Sequence, residues 1–323
     1  MPNAIRVHQV GGPEVLEWEE VEVGHPGPGA VRLRQDAAGL NYIDVYHRTG
    51  LYPQPLPFVP GVEGAGVIEA VGPDVTELKV GDRVAYSGPL GGYAEERLIA
   101  ADKLVKLPES ISTEQAAAMM LQGMTARMLL RSVHHVQPGE TILIHAAAGG
   151  VGLIVCQWAK ALGATVIGTV SSEEKAKLAH AHGCDHPIIY TSQDFVAEVD
   201  RITGGAKLPV VYDSIGKDTF EQSLNCLAPR GLMVTFGNAS GPVPPVEPGL
   251  LAQKGSLFLT RPTLFTYTAS RADLDAAAGE LFDVVASGKV KVEVKQRFPL
   301  KDAAEAHRAL EVRQTCGSTI LTV

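Results

Sequence analysis

No run of apolar residues in this chain approaches the roughly 20 that a membrane-spanning helix needs. The first residues, MPNAIRVHQVGGPEV, also lack the apolar core of a secretory signal. The cysteines form no CxxC pair, because they stand apart at positions 156, 184, 226 and 316. We therefore expect a cytoplasmic protein with reduced cysteines and no membrane partner.

Positive charge is also scarce. The 28 Lys and Arg residues are outnumbered by 36 Asp and Glu, which gives a net charge of −8. A general nucleic-acid binder carries a basic surface, so nucleic acid is an unlikely main partner for this chain. The hydrophobic content of 45% and the charged content of 20% are ordinary for a soluble enzyme. The length of 323 residues favours two domains.

The most informative stretch is 141–152, which reads TILIHAAAGGVG. This short apolar run and its small residues are followed by a helical pattern over 150–162 and a β-rich run over 165–170. Strand, glycine turn, helix and strand in this order are typical of the phosphate-binding unit of a dinucleotide fold, here with the pattern AxGxxG. Gly149 would let the backbone approach a pyrophosphate, and Gly152 would let the helix pack closely on the strand. The alternative is a plain turn between strand and helix.

Two patterns divide the chain. Residues 1–120 contain short β-like runs punctuated by Gly-Pro, Pro-Gly and Gly-Asp pairs, which predicts an irregular β-rich domain. A helical pattern begins at Ser112, which has Gln115 three residues on as in a capping box. Strands and helices then alternate, which predicts a doubly wound parallel sheet of about six strands. The predicted strands are 141–145, 165–170, 187–190, 209–213, 231–236 and 256–260, and the helices between the first five are 150–162, 172–182, 193–203 and 217–227.

The C-terminal part is predicted to return to the β-rich domain, because the nucleotide sheet is complete without it. It contains a helical pattern, a β-like run, a second helix and a terminal strand at 270–288, 290–298, 301–313 and 319–322. The nucleotide domain (122–262) would then be inserted into a domain made of 1–121 and 263–323. The Pro-rich stretch 241–249 is predicted to be a loop lying over the cofactor.

The end of the second predicted strand of the nucleotide domain indicates which cofactor binds. NAD-specific sites usually place a carboxylate there for the ribose 2′-hydroxyl, whereas this strand ends in Ser171 and Ser172. Lys175 follows one helical turn later and can pair with a 2′-phosphate, so we expect NADPH. Glu173 and Glu174 weaken this case, although carboxylates at a helix start also favour the helix dipole. The alternative for Lys175 is a solvated helix charge.

Several motifs together resemble one known family. They are GLNYIDVYHRTGLYP (39–53), GVEGAGVIEAVG (61–72), GDRVAY (81–86), the AAAGGVG turn, VYDSIG (211–216) and RGLMVTFGNASG (230–241). Over essentially its full length the chain resembles the zinc-independent quinone oxidoreductases of the medium-chain dehydrogenase/reductase superfamily. The resemblance implies an α/β fold in which a Rossmann domain is inserted into a GroES-like catalytic domain. It also implies NADPH in the cleft between the domains, a quinone substrate and a homodimer or homotetramer.

The resemblance assigns site residues as well. It places Asn41 near the nicotinamide and Tyr46 and Tyr52 along the quinone pocket, which makes these three the candidate catalytic residues. The other implied cofactor contacts are Thr125 at the domain junction, Gly149, Gly150 and Val151 at the pyrophosphate, Ser171 and Lys175 at the 2′-phosphate, Tyr190 at the adenosine, Phe236 and Asn238 by the nicotinamide, and Arg313. Alternatives remain open for some of them: the two tyrosines as interface packing, Phe236 as a core residue and Arg313 as a helix-end charge.

We expect no metal. In the zinc-dependent members of the superfamily a thiolate and an imidazole bind the ion, but Asn41 and Val62 stand at those positions here. A neutral amide and an isopropyl group do not hold Zn²⁺ as those ligands do. One cluster, His180, His182, Cys184 and His186, has metal-competent side chains, but it straddles a helix end and residues two apart on a helix point in different directions.

Two other functions stay open on the same sequence. One is an NADPH-dependent reductase of α,β-unsaturated carbonyls, with a tyrosine as proton donor. The other is a crystallin-like or RNA-binding protein that retains NADPH for stability.

Overall fold

The computed structural model describes residues 1–323, which pack as two compact units. The first unit comprises 1–124, 269–286 and 292–323, and the second comprises 125–268 and 287–291. No helix combines the length and the apolar character that spanning a membrane requires.

The chain forms fifteen strands. They are β1 (Asn3–Arg6), β2 (Glu17–Glu20), β3 (Ala30–Gly39), β4 (Glu63–Val71), β5 (Arg83–Ser87), β6 (Glu96–Ala100), β7 (Val105–Lys106), β8 (Thr141–Ile144), β9 (Thr165–Val170), β10 (His186–Ile189), β11 (Leu208–Asp213), β12 (Leu227–Thr235), β13 (Phe258–Thr260), β14 (Val294–Pro299) and β15 (Ser318–Thr322).

Eleven α-helices accompany these strands. They are α1 (Tyr42–Arg48), α2 (Thr113–Ala117), α3 (Met120–Met128), α4 (Gly150–Ala161), α5 (Glu173–Ala181), α6 (Phe195–Thr203), α7 (Phe220–Asn225), α8 (Pro248–Gln253), α9 (Leu264–Tyr267), α10 (Arg271–Ala286) and α11 (Ala303–Glu311).

A mostly antiparallel seven-stranded sheet forms the framework of the first unit. Its strand order is β14-β15-β3-β4-β5-β7, and β6 also pairs with β3. Only β14 and β15 run parallel. The terminal strand β15 pairs with β3, with Leu321 opposite Ala38, so the C-terminal tail completes this sheet. Alternate side chains of the strands, such as Val31, Leu33 and Val84, are buried in a shared core.

The second unit contains a six-stranded sheet in the order β10-β9-β8-β11-β12-β13, and every pair is parallel. Counted along the chain, this is the order 3-2-1-4-5-6 of a Rossmann sheet. The predicted doubly wound parallel sheet is therefore confirmed. The strand order reverses between β8 and β11, and ligands of such sheets bind beside this point, at the carboxyl ends of the strands.

Helix α4 lies unusually close to the turn that follows β8. A Cβ atom at Gly152 would lie 2.3 Å from the Ala146 carbonyl oxygen and 2.7 Å from Ala147 Cα. Only glycine fits at such distances, so the predicted role of Gly152 in close packing is confirmed. The turn itself is tight enough that Ala146 has a positive φ of 55°.

A buried histidine connects three strand ends beneath this turn. His145 Nδ1 lies 2.9 Å from Thr169 Oγ1, and Nε2 lies 2.9 Å from Ser223 Oγ. The Ser223 hydroxyl donates to Asp213 Oδ2, so the serine oxygen accepts from Nε2 and the histidine is neutral with its proton there. Burial lowers the pKa of His145, which keeps the ring uncharged. The carboxyl ends of β8, β9 and β11 are thereby tied together.

Some predicted elements differ at their ends. The predicted helix 217–227 is the shorter α7, because the Asp213 carboxylate accepts hydrogen bonds from the Ile215 and Gly216 amides and holds a turn before the helix. The predicted strand 231–236 begins four residues earlier, as β12.

The β-like run predicted over 290–298 becomes a strand only from Val294. Lys291 does not join β14, because both its amide and its carbonyl bond to the Gln157 side chain on α4.

The helical region that starts at Ser112 is not one helix. Ser112 Oγ accepts the Gln115 amide at 3.1 Å, which confirms the predicted cap. The chain then passes through α2 and α3 and ends in a π-helical turn over Leu129–Val133.

The tight packing of α4 yields a stability prediction. We expect Gly152→Ala to lower the free energy of unfolding by about 1–3 kcal/mol, because the new methyl group overlaps backbone atoms. Gly279→Ala in α10 is the matched control, since no atom lies within 4 Å of a Cβ there. It should raise the free energy of unfolding by up to about 1 kcal/mol through helix propensity. Urea denaturation followed by circular dichroism measures both, and equal midpoints for the two variants would contradict the packing argument.

Candidate active site

The start of α4 has the properties of an anion site. The helix begins at Gly150 with Gly149 at the N-cap, no side chain caps it, and its first turn has no acidic residue. The first amide groups of a helix have no partner within the helix, and the positive end of its dipole lies there. Of the three predicted pyrophosphate contacts, Gly149 uses its amide inside the turn, on Ala146 at 2.9 Å. The amides of Gly150 and Val151 lie at the helix start, where a phosphate oxygen can accept from them.

The end of β9 holds the predicted 2′-phosphate residues. Ser172 is the N-cap of α5 and its Oγ accepts the Lys175 amide at 3.3 Å, so this serine has a structural role. Glu173 and Glu174 occupy the first turn of α5, as expected for carboxylates that favour a helix start. Ser171 lies between β9 and this cap, and no carboxylate precedes it at the strand end.

Tyr190 lies beside the same strand end. Its amide donates to the Val170 carbonyl at 3.1 Å, and its side chain is 38% exposed. The structure therefore brings Ser171, Lys175 and Tyr190 to one edge of the parallel sheet, and their contact with an adenosine phosphate stays a prediction.

Phe236 and Asn238 follow β12 at the carboxyl edge of the same sheet. The Phe236 amide donates to the Asp213 carbonyl at 2.7 Å, and the Asn238 carbonyl accepts the Gly241 amide at 2.9 Å. A Cβ at Gly237 would lie 2.3 Å from the Ser214 carbonyl oxygen, so this loop packs directly on the loop after β11. Thr125 belongs to the second unit as well, within α3, and is half-buried.

In the first unit, two of the candidate catalytic residues lie in contact. The rings of Tyr46 and Tyr52 meet edge to face with centroids 5.2 Å apart, and the Tyr52 amide donates to the Tyr46 carbonyl. Tyr46 lies on α1 and is buried, whereas Tyr52 lies four residues beyond the helix end and is half-buried. His47 adds a third ring, 6.1 Å from that of Tyr52. This cluster offers aromatic surface and two phenol groups, which are side chains that suit an aromatic ligand with oxygen substituents.

Asn41 is held by several buried hydrogen bonds. Its backbone amide donates to Asp44 Oδ2 at 2.9 Å and its Nδ2 donates to Glu63 Oε2 at 2.7 Å. Its Oδ1 accepts from Gln122 Nε2 at 3.1 Å, and Gln122 Oε1 in turn accepts the Ser318 hydroxyl at 2.7 Å. All of these residues are buried. The Asn41 amide is thus fixed at both ends.

Glu63 is fully buried at the start of β4. Its Oε1 accepts the Leu121 amide at 2.7 Å. A Cβ at Gly39 would lie 2.1 Å from Glu63 Oε2, so the glycine on β3 provides the space for the carboxyl group. Burial raises the pKa of Glu63 to about 8, against the hydrogen bonds from Asn41 and Leu121, and the nearby Asp44 contributes to the rise.

A second buried chain of hydrogen bonds ends at Asp44. Arg48 Nη1 donates to His307 Nδ1 at 3.0 Å, so the neutral histidine carries its proton on Nε2 and donates to the Tyr93 hydroxyl at 3.2 Å. Tyr93 donates to Asp44 Oδ2 at 2.9 Å. Burial raises the pKa of Asp44 to about 7, and burial with the Arg48 charge lowers the pKa of His307 to about 3. Arg48 is itself paired in two-pronged geometry with Glu311. These bonds fix α1, and with it Asn41, to α11.

Arg313 follows α11 on the surface of the first unit. It has a positive φ of 61° and its amide donates to the Leu310 carbonyl. The same carbonyl accepts the Tyr42 hydroxyl at 3.3 Å, which joins the end of α11 to the start of α1.

The residues at the predicted zinc positions do not fit a zinc ion. The Asn41 amide already bonds to Glu63 and Gln122, and Val62 is a buried apolar side chain. In the cluster near 180–186, His180 and His182 each direct Nδ1 to a backbone carbonyl, and the Cys184 thiol faces the Val166 carbonyl. Elsewhere, the ligand atoms of His8, Glu17 and Glu19 lie within 4.8 Å of one another at an exposed hairpin, where Glu19 also pairs with Arg6.

Sequence reasoning missed the buried hydrogen-bond network around Asn41. Glu63, Gln122, Ser318 and Asp44 come from four separate stretches of the chain and were not predicted as site residues. One signal was present: Glu63 is a lone carboxylate in the apolar run GVEGAGVI, which is unusual for a strand that becomes buried on both faces.

Comparisons with known proteins agree with this architecture. Residues 27–109 match the family described as alcohol dehydrogenase GroES-like domain, and residues 150–282 match the family described as zinc-binding dehydrogenase.

Full-length relatives match as well. A quinone oxidoreductase of Pseudomonas aeruginosa is 56% identical over 323 residues, which is 99% of both chains. A 2-haloacrylate reductase of a Burkholderia species is 50% identical over 332 residues, again 99% of both. The crystal structure of Escherichia coli quinone oxidoreductase complexed with NADPH superposes with a TM-score of 0.98 at 50% identity, over 99% of this chain and 100% of the other.

These matches run through both units, and they agree with the parallel sheet of the second unit and the antiparallel sheet of the first. The chain therefore belongs to the quinone oxidoreductase family of the medium-chain dehydrogenase/reductase superfamily.

Proposed function

We propose that this protein is a cytoplasmic NADPH-dependent quinone reductase that works without a metal ion. The observation that carries the proposal is the uncapped start of α4 beside the strand-order reversal between β8 and β11, in a chain that matches quinone oxidoreductases over its full length. The four cysteines are all unpaired, which fits a reducing compartment.

The residues at the edge of the parallel sheet fit NADPH. We propose that Gly149, Gly150 and Val151 surround the pyrophosphate, Ser171 and Lys175 hold the 2′-phosphate, and Tyr190 flanks the adenosine. Thr125, Phe236, Asn238, Arg313 and Asn41 are the further proposed contacts. The domain division behind this assignment is 122–262 for the cofactor and 1–121 with 263–323 for catalysis. When bound, NADPH supplies a hydride to the acceptor.

The chain's own residues bind and orient the acceptor. Tyr46 and Tyr52 present aromatic surface on which a quinone ring packs, and their hydroxyls can donate to the oxygen on which negative charge develops. Asn41 is close to them in sequence, and its buried partners set which end of its amide faces a ligand. The proton that completes reduction comes from a tyrosine hydroxyl or water.

A second candidate function has a specific observation in its favour. The relative called 2-haloacrylate reductase is as similar to this chain, at 50% identity, as the Escherichia coli quinone oxidoreductase is. The alternative is therefore NADPH-dependent reduction of a carbon–carbon double bond next to a carbonyl, on the same site.

Steady-state assays test the proposed reaction. We expect NADPH oxidation with 1,4-benzoquinone or 1,4-naphthoquinone as acceptor to have a kcat/KM at least about tenfold higher than with 2-chloroacrylate or 2-cyclohexenone. Prior dialysis against EDTA should leave the rate unchanged, because no residue set in the site fits zinc. Greater activity with the acrylate would favour the second candidate, and loss of activity that added Zn²⁺ restores would contradict the metal-free proposal.

Substitution of Lys175 tests the 2′-phosphate assignment. Lys175→Ala removes one charge partner of that phosphate, so we expect the KM for NADPH to rise about tenfold, as for loss of a hydrogen bond to a charged group, with little change for NADH. Lys177→Ala, an exposed change two residues further along α5, is the matched control and should leave both values unchanged. Equal losses for NADPH and NADH would remove Lys175 from the site.

We also propose that the protein is a homodimer joined through β13. This strand is an edge of the parallel sheet, and Phe258 on it is 62% exposed. An unprotected edge with an exposed aromatic side chain can pair with a second copy. We expect Phe258→Asp to convert the protein to monomers in sedimentation velocity, whereas Val80→Asp, at a side chain that is 59% exposed, should not. A wild-type protein that sediments as a monomer at micromolar concentration would exclude this interface.

A further inference from the structure

The chain of buried groups around Asn41 has a definite direction. An amide side chain has a donor end and an acceptor end, and which end faces which neighbour is decided by the hydrogen-bond partners. Here the Asn41 nitrogen faces Glu63 and its oxygen faces the Gln122 nitrogen. The Gln122 oxygen then faces the Ser318 hydroxyl.

Glu63 acts on the direction of this chain at its near end, where the Asn41 side chain also faces the Asp44 backbone amide in a capping box. Ser318 at the far end can donate or accept, because a hydroxyl does both. Glu63 at the near end is different, since its Oε1 already accepts the Leu121 amide and its Oε2 faces Asn41. An ionised carboxylate only accepts, so it requires the nitrogen of Asn41 on its side.

A proton on Glu63 changes this requirement. With Oε2 protonated, the carboxyl group can donate to the Asn41 oxygen, the Gln122 amide can reverse, and Ser318 can accept in place of donating. Glu63, Asn41, Gln122 and the Ser318 oxygen each then still have a partner, and the Ser318 hydrogen is the one buried donor that must find a new acceptor. The two directions therefore differ by one proton and by rotation of two amides.

We propose that Glu63 is a positioning residue that sets the direction of the Asn41 carboxamide, and that a proton taken up by Glu63 from solvent reverses it. The proposal rests on the proposed contact between Asn41 and NADPH. One hydrogen of Asn41 Nδ2 is used by Glu63, and in the proposed contact the second is the donor to the cofactor. In the reversed state the nitrogen stands on the Gln122 side, and the cofactor loses that donor.

The surroundings of Glu63 raise its pKa into the interval from pH 7 to 9, over which NADPH binding can be measured. Burial raises the pKa of Glu63 to about 8, and the Asp44 carboxylate on α1 contributes to the rise. Tyr86 on β5 and Tyr93 also act on this region, but burial raises the pKa of both phenols above the ordinary value, so they stay neutral. Arg48 is paired with Glu311.

The affinity for NADPH should therefore rise with pH. Below the pKa of Glu63 the amide is mostly reversed, and above it the donor faces the cofactor. The apparent Kd equals the intrinsic value divided by the competent fraction. For a pKa of about 8, that fraction rises from about one-tenth at pH 7 to about nine-tenths at pH 9, so the wild-type Kd for NADPH should fall nearly tenfold over this range.

Three variants separate this proposal from a structural role. Glu63→Gln mimics the protonated acid, because its amide can donate to Asn41 while its oxygen still accepts from Leu121. We expect its Kd for NADPH, measured by fluorescence quenching, to stay flat from pH 7 to 9 near the weak limit of the wild type, with a thermal midpoint within a few degrees. Asn41→Ala should bind weakly and show no pH slope, and Glu63→Gln should add nothing to it. Glu69→Gln on the same strand is the control and should keep the wild-type slope.

The outcomes are distinct. A flat wild-type Kd, or a slope that persists in Glu63→Gln or Asn41→Ala, overturns the proposal. The Asn41→Ala arm keeps this test decisive even if Glu63→Gln does not fold. If Asn41→Ala binds NADPH as tightly as the wild type, the proposed contact of Asn41 with the cofactor is wrong and the inference falls with it. If the wild type does not bind NADPH at all, the proposed function itself fails.

Discussion

The close approach of α4 to the turn after β8 is the constraint on which the rest of the second unit depends. With hydrogen as the side chain of Gly152, the helix start can lie against the Ala146 and Ala147 backbone. The turn is supported from below by His145, which is neutral because burial lowers its pKa and which joins three strand ends. A helix start held this rigidly presents its free amides without loss of conformational entropy when an anion binds.

The first unit buries two carboxyl groups, those of Asp44 and Glu63, together with the guanidinium group of Arg48. Burial of a charge is costly unless partners replace the lost water. Asp44 receives donors from the Asn41 backbone and Tyr93, and Arg48 reaches His307 and Glu311. The same bonds tie α1 to α11, so the polar groups also fix the helix that carries Tyr46. The geometry of the candidate pocket is therefore set by electrostatics as much as by apolar packing.

Much of the fold could be predicted from local patterns. The strand–turn–helix–strand order at 141–170 identified the parallel sheet, and Gly152 was assigned its packing role correctly. Features that depend on distant partners could not be predicted. The start of β14 is set by Lys291 bonding to Gln157, 134 residues away. Likewise the Asn41 network joins β4, α3 and β15. Nothing at position 122 marks a residue that bonds to an asparagine about 80 positions earlier, and nothing at 318 marks one that bonds to Gln122.

The identity of residue 41 decides what kind of chemistry the buried Glu63 can take part in. A thiolate at this position would add a further negative charge beside the acidic groups Glu63 and Asp44, tolerable only with a bound cation. The asparagine is neutral and has both a donor and an acceptor end, so it matches Glu63 on one side and Gln122 on the other without any ion. The same property underlies the proposed reversal, because either end of the amide can face the carboxyl group according to its protonation. On this proposal a site built on the amide responds to a single proton, and the fold accommodates the carboxyl group that carries it by leaving Gly39 without a side chain opposite.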